Sequence, residues 1–193
     1  MRRVVWVLGV LAVLAVALSA TLAATVSPSS SRQWLGAYGV EVAVPGTGWR
    51  LEPSSSAIEY AADAQVRAPA VLDSGFCPSS ASSSRAFVGL LAPAPGTVPE
   101  VLTRQLRTWA AAVGSAAIRV PVVRESRADL DVPVPVGPCA PTTAHLTLVG
   151  RNTAAGVVVL VLVRDVGEPG DLTAAAADAI VASLRPVSRA GHS

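Results

Sequence analysis

The first feature of the chain is an apolar run with no charge from Val4 to Val26. A bilayer core of about 30 Å is crossed by about 20 helical residues, so residues 1–26 predict one N-terminal transmembrane helix acting as a signal anchor. The Ser-rich stretch "SPSSSRQ" that follows has no periodicity, and residues 27–38 read as a tether. Beyond it the pattern changes. Val40, Val42 and Val44 alternate with Glu41 and Ala43, the period of a half-buried strand. Residues 57–61 fit either a short strand or a helical turn, residues 85–93 predict another strand, and a strand-like run surrounds Val120 to Val123.

Two helices interrupt the strands. In "TVPEVLTRQLRTWAAAVG", Val98, Leu102, Gln105, Leu106, Trp109 and Val113 recur at helical spacing. Thr97 and Glu100 stand in capping-box register, Pro99 falls in the first turn and Gly114 is a natural stop. Glu100, Arg104 and Arg107 lie on the opposite side, as a solvated face or a docking face for an acidic partner. Near the end, "DLTAAAADAIVASLRP" predicts a helix capped by Asp171 or Thr173, with Leu172, Ala175, Ala176, Ala179, Ile180, Ser183 and Leu184 as its stripe and Pro186 as its end. Just before it, "TTAHLTLVG" and "VVVLVLVRD" flank the turn "RNTAAG" and predict an antiparallel hairpin whose second strand is covered on both faces. The segment "DVPVPVGPCAP" is too rich in proline for a central strand. The sum is an α+β domain over residues 39–187, an antiparallel sheet of five to seven strands flanked by two or more helices, with residues 188–193 as a disordered tail.

Charge changes the picture at the N-terminus. All 15 cationic side chains are arginines, and two of them, Arg2 and Arg3, precede the apolar run. The positive-inside rule puts them in the cytoplasm and everything after Val26 on the other side of a single-pass membrane protein. Thr21-Leu-Ala23 or Ala15-Val-Ala17 offers a weak small-x-small cleavage site, which would yield a secreted product. Past the leader, 13 arginines face 13 carboxylates, so the domain is formally neutral and has no electrostatic footprint for nucleic acid.

The chain has two cysteines, Cys77 in "SGFCPSS" and Cys139 in "VGPCAP", both in turn-like settings. In an oxidising compartment such a pair reads first as a disulfide. It would close a loop of about 63 residues and stabilise the fold by roughly 4 kcal/mol in the chain-entropy account. Two thiols without C-x-x-C spacing make a poor zinc site, and no metal or cofactor is expected.

Catalytic chemistry is hard to assemble from what remains. His145 sits on the presumed exposed side of a strand and His192 is the penultimate residue of the sequence. No serine stands in G-x-S-x-G. Asp129 and Asp131 flank Leu130 in a presumed loop, a spacing seen in calcium sites but without further ligands in register. Asp165 and Glu168 read as turn formers, and "GTG" at 46–48 is not a dinucleotide fingerprint.

The tail "LVLVRDVGEPGDLTAAAADAIVASLRP", after an N-terminal "VEVAVPGTGWRLEP", resembles the PsbP-like group, especially secreted or membrane-anchored actinobacterial proteins of the LpqN type. The resemblance covers residues 38 to 187 and rests on element order and small motifs. It implies an α/β/α sandwich and an accessory or binding role without established catalysis. This chain lacks a lipobox cysteine after its leader. The expectation is a non-catalytic extracytoplasmic module, attached to the membrane through its N-terminal helix and binding an envelope or membrane-protein partner. The alternative is a small extracytoplasmic hydrolase using His145 with a nearby serine or acidic residue.

Overall fold

The computed structural model describes residues 31–187 apart from 54, 62–63, 74, 79–82, 113–118, 135–138 and 140–142. The leader 1–26, the start of the expected tether, the tail 188–193 and His192 lie outside the described residues. The elements run β1 (Arg32–Ala37), β2 (Val40–Pro45), β3 (Trp49–Leu51), β4 (Ala57–Ala61), β5 (Ala64–Leu72), β6 (Ala86–Ala94), α1 (Val98–Ala112), β7 (Arg127–Pro133), β8 (Thr143–Thr153), β9 (Gly156–Val166), α2 (Ala174–Ala182) and β10 (Arg185–Pro186).

A seven-stranded sheet forms the centre, in the order β3-β5-β6-β9-β8-β7 with β4 also paired to β5. A three-stranded sheet, β1-β2-β10, is separate from it. Every pairing is antiparallel. The long β8–β9 hairpin supplies the middle because "VVVLVLV" is apolar on both faces, and two cores form, one on each side of it. On one side α1 lays Leu102, Leu106 and Trp109 against Leu146, Leu148 and Val159. Leu102 and Leu106 are fully buried, each worth roughly 1.5–3 kcal/mol of transfer free energy. On the other side Val40, Val42 and Val44 of β2, with Leu172, Ala177 and Ile180 around α2, cover Val88, Leu90, Leu160 and Leu162.

Local chemistry fixes the ends of these elements. The Glu100 carboxylate accepts the Thr97 N–H at 2.8 Å, closing the N-terminus of α1. Thr173 caps α2 by accepting the Ala176 N–H, and Ser183 Oγ accepts the Ala43 N–H at 2.8 Å, tying α2 to β2. Tyr38 and Gly39 both have positive φ, as a two-residue type I′ hairpin turn requires. Gly150 lies where α1 meets β8, and a Cβ there would stand 2.5 Å from Val98 Cγ1.

The expected balance of helix and sheet is therefore corrected. The described residues are dominated by strands, with two helices among them, and the second face of the main sheet is covered largely by another sheet rather than by a helical layer. This overturns the α+β sandwich flanked by helices. No helix among the described residues is long and apolar enough to cross a membrane, and the expected spanning helix falls outside them. Part of the expected tether, Arg32–Ala37, is strand β1, which buries Leu35 and pairs along the whole of β2. Residues 120–123 form no strand, because Pro121 breaks the run; the strand is β7, where Ala128, Leu130 and Val132 are buried and Arg127, Asp129 and Asp131 alternate with them. The buried positions of α2 are Ala177 and Ile180, not the predicted Ala175 and Ala179, which are exposed.

Candidate functional site

Cys77 and Cys139 form a disulfide with Cα atoms 5.8 Å apart. It joins the β5–β6 connection to the β7–β8 connection, and so straps one end of the main sheet across the intervening strands. A partly buried ion pair lies at the same end. Arg85 Nη1 is 3.3 Å from Asp165 Oδ2, and the guanidinium stacks 3.8 Å from the Phe76 ring centroid. Burial pushes the Asp165 carboxyl above its usual range, with Asp171 and Glu168 adding to the rise, while the contact with Arg85 opposes it. Asp165 is thus an ion-pair partner rather than a turn former. Asp171 shapes the turn instead, its carboxylate accepting the Glu168 N–H at 2.5 Å.

The second constellation spans β7 and β8. Asp131 and Asp129 sit opposite His145 and Thr147 in the strand register, so all four side chains share one face. His145 Nδ1 is 2.6 Å from Asp131 Oδ1 and Nε2 is 3.2 Å from Asp129 Oδ1. The buried Thr147 hydroxyl donates to the same Asp129 oxygen at 2.7 Å. Arg127 grips both Asp129 oxygens at 2.8 and 3.0 Å and reaches Asp178 on α2 at 2.8 Å. Burial disfavours ionisation of Asp129, but hydrogen bonds from Arg127, Thr147 and His145 outweigh it and hold the carboxyl below its usual range. The same carboxylates, Asp129 first and then Asp178, hold the Arg127 guanidinium firmly protonated.

This arrangement corrects two expectations. Asp129 and Asp131 lie on an edge strand rather than in a loop, and His145 is half-buried on the face that carries Leu160 and Leu162. The charges suit an edge strand, where they discourage pairing with another chain. Chemically, the cluster is closed on itself. A ring with a carboxylate against each nitrogen can donate to both only when it carries both protons. The hydroxyl of the cluster is directed to Asp129, and the hydrogen-bond partners of His145 are carboxylates rather than a serine. Among the described residues, no group of three or more His, Cys, Asp or Glu side chains is arranged to hold a metal ion.

The third feature is a shallow groove of about 750 Å³ between α1 and the segment leading to β7. Its apolar lining includes Pro99, Ala111 and Val123, and Arg104 and Arg107 stand along it. Both arginines are exposed, and Arg104 also donates to the Pro95 carbonyl at 3.3 Å. Glu100 closes one end; its hydrogen bond from the Thr97 N–H holds the carboxyl below the usual range. Helical spacing picked out these arginines, but the opposite wall comes from a segment with no periodicity, so the concavity itself had no sequence signal.

Residues 31–189 match the family described as Domain of unknown function (DUF8017), and the chain belongs to that family. The match identifies an uncharacterised domain family and not the PsbP-like group that the tail resembles. No curated protein matches the chain.

Proposed function

We propose that this is an extracytoplasmic, non-catalytic binding domain, held at the membrane by its apolar leader, that receives an acidic segment of an envelope or membrane-protein partner. The observation that carries the reading is the groove beside α1, where an apolar floor lies next to two exposed guanidiniums. Arginine forks form charge-assisted, often bidentate hydrogen bonds with carboxylates, and an extended chain could set aliphatic groups on Val123 and Pro99 while its carboxylates meet Arg104 and Arg107. Glu100 would repel an acidic residue at its own end and so fix the direction of the bound segment. The Cys77–Cys139 disulfide supports the compartment, since such bonds persist in oxidising surroundings.

Fluorescence anisotropy with a labelled peptide of alternating glutamate and leucine tests the reading. Binding that weakens with added salt and disappears in Arg104→Glu/Arg107→Glu supports it. Absence of binding, or binding indifferent to the charge reversal, refutes it. Hydrolytic turnover by the purified chain that vanished with His145→Ala would favour the hydrolase alternative instead.

A further inference from the structure

Among the described residues, four large apolar side chains are exposed: Trp34, Tyr38, Val122 and Val187. Three of them belong to the small sheet or to the segments that adjoin its strands. The alternation of β1 puts Trp34 on the side away from Leu35, and Tyr38 follows in the β1–β2 turn. Val187 comes just after β10 and donates its N–H to the Gly39 carbonyl at 3.0 Å, beside that turn. Trp34 is 38% exposed, Tyr38 36% and Val187 46%. The other side of β2 is spent on the core through Val40, Val42 and Val44.

The patch has a cationic edge. The Arg185 guanidinium lies 3.9 Å from the Trp34 ring centroid and its Nε donates to Glu41 at 2.7 Å. Arg32, two residues before Trp34 on the same strand, shares its face and is exposed. Two arginines therefore border three apolar groups, and Glu41 accepts from one of them, Arg185. Tryptophan, tyrosine and arginine are the side chains that suit a bilayer's polar boundary, the rings lying at headgroup level and the cations meeting anionic lipid.

Chain length favours lipid over other occupants. Five residues, Ser27 to Ser31, separate the apolar leader from β1, and even fully extended they reach no farther than about 20 Å. The strand entered from that short link is the one that carries Trp34. From this we infer that the outer face of the β1-β2-β10 sheet rests on an anionic phospholipid surface, an inference that depends on the leader acting as the tether. A flat contact of this kind would fix which side of the domain faces away from the membrane and is open to a partner.

The full-length chain carrying Trp6→Phe, reconstituted in vesicles of phosphatidylcholine with roughly a third phosphatidylglycerol, provides the test. Trp49 and Trp109 are buried, so quenching by lipids brominated near the headgroup reports Trp34. Quenching is expected in this chain, lost on adding Trp34→Phe, and reduced by Tyr38→Ser/Val187→Ser or in pure phosphatidylcholine. Equal quenching with and without Trp34 overturns the inference, as does absence of quenching in a chain that remains with the vesicles. If Trp34 is shielded from aqueous iodide only as protein concentration rises, without lipid quenching, the surface is a contact between copies and the inference fails. Release of the chain by alkaline carbonate would count against the tether alone, because Trp34 quenching at neutral pH reads the docking surface separately.

Discussion

Cys77→Ala/Cys139→Ala is expected to lower the unfolding midpoint by on the order of 10 °C. The bond joins residues separated by 62 positions. Closing a loop of that length removes about 14 cal/mol/K of chain entropy from the unfolded state, about 4 kcal/mol at room temperature. A domain of this size shifts its midpoint by about 2–4 °C per kcal/mol. Replacing both cysteines avoids leaving a reactive thiol, and alanine keeps the Cβ at Cys77, which is buried. The strap is not all that holds this end of the sheet, since the Arg85–Asp165 pair and the Arg85–Phe76 stack remain. The variant should therefore fold, with a lower midpoint by circular dichroism, and wild type with its disulfide reduced should melt with it. A midpoint within about 2 °C of oxidised wild type, or no response to reductant, would refute the entropic role assigned to the bond.

Two carboxylates should shape the acid limb of stability in opposite senses. Asp165 has a raised folded-state pKa, so its contribution is complete below the usual value of about 3.9 and is lost as pH climbs through the raised one; Asp165→Asn should flatten that decline in urea midpoints. Asp129 has a lowered folded-state pKa, so its contribution is present above the usual value and is lost as pH falls through the depressed one; Asp129→Asn should remove that acid-side loss. Unchanged pH profiles in both variants would contradict the assigned environments. Gly150→Val should cost about 1–3 kcal/mol in denaturant unfolding, because the added side chain meets Val98 and Leu102 of α1. Wild-type stability in that variant would mean that α1 does not pack closely over β8.

The elements that could be read from the sequence are those whose pattern matches a single burial period. α1 falls where the Leu102, Leu106 and Trp109 spacing and the Thr97–Glu100 capping box predict it, and the β8–β9 hairpin appears around the turn at Ala154 and Ala155. The large side chains of the α2 stripe, Leu172, Ile180 and Leu184, are buried where the spacing put them, but among the alanines it was Ala177 rather than Ala175 or Ala179 that turned inward, because a run of identical small residues carries no period of its own. β7 was overlooked although Ala128, Leu130 and Val132 alternate with charges, since neighbouring prolines dominate the local composition. The separate β1-β2-β10 sheet depends on pairing Arg185 and Pro186 with Glu41 and Val40, a contact across more than half the sequence that no local window contains. The same holds for the site. The cysteine pairing followed from compartment and count, whereas the junction of Arg127, Asp129, His145 and Asp178 required the strand register and the position of α2.

The central claim, that this domain works outside the cytoplasm, is tested most directly on the two cysteines of the chain in protein taken from cells lysed in the presence of excess iodoacetamide. Mass spectrometry should find Cys77 and Cys139 unalkylated until reductant is added and both modified afterwards. Both carrying the label without reductant would contradict the account.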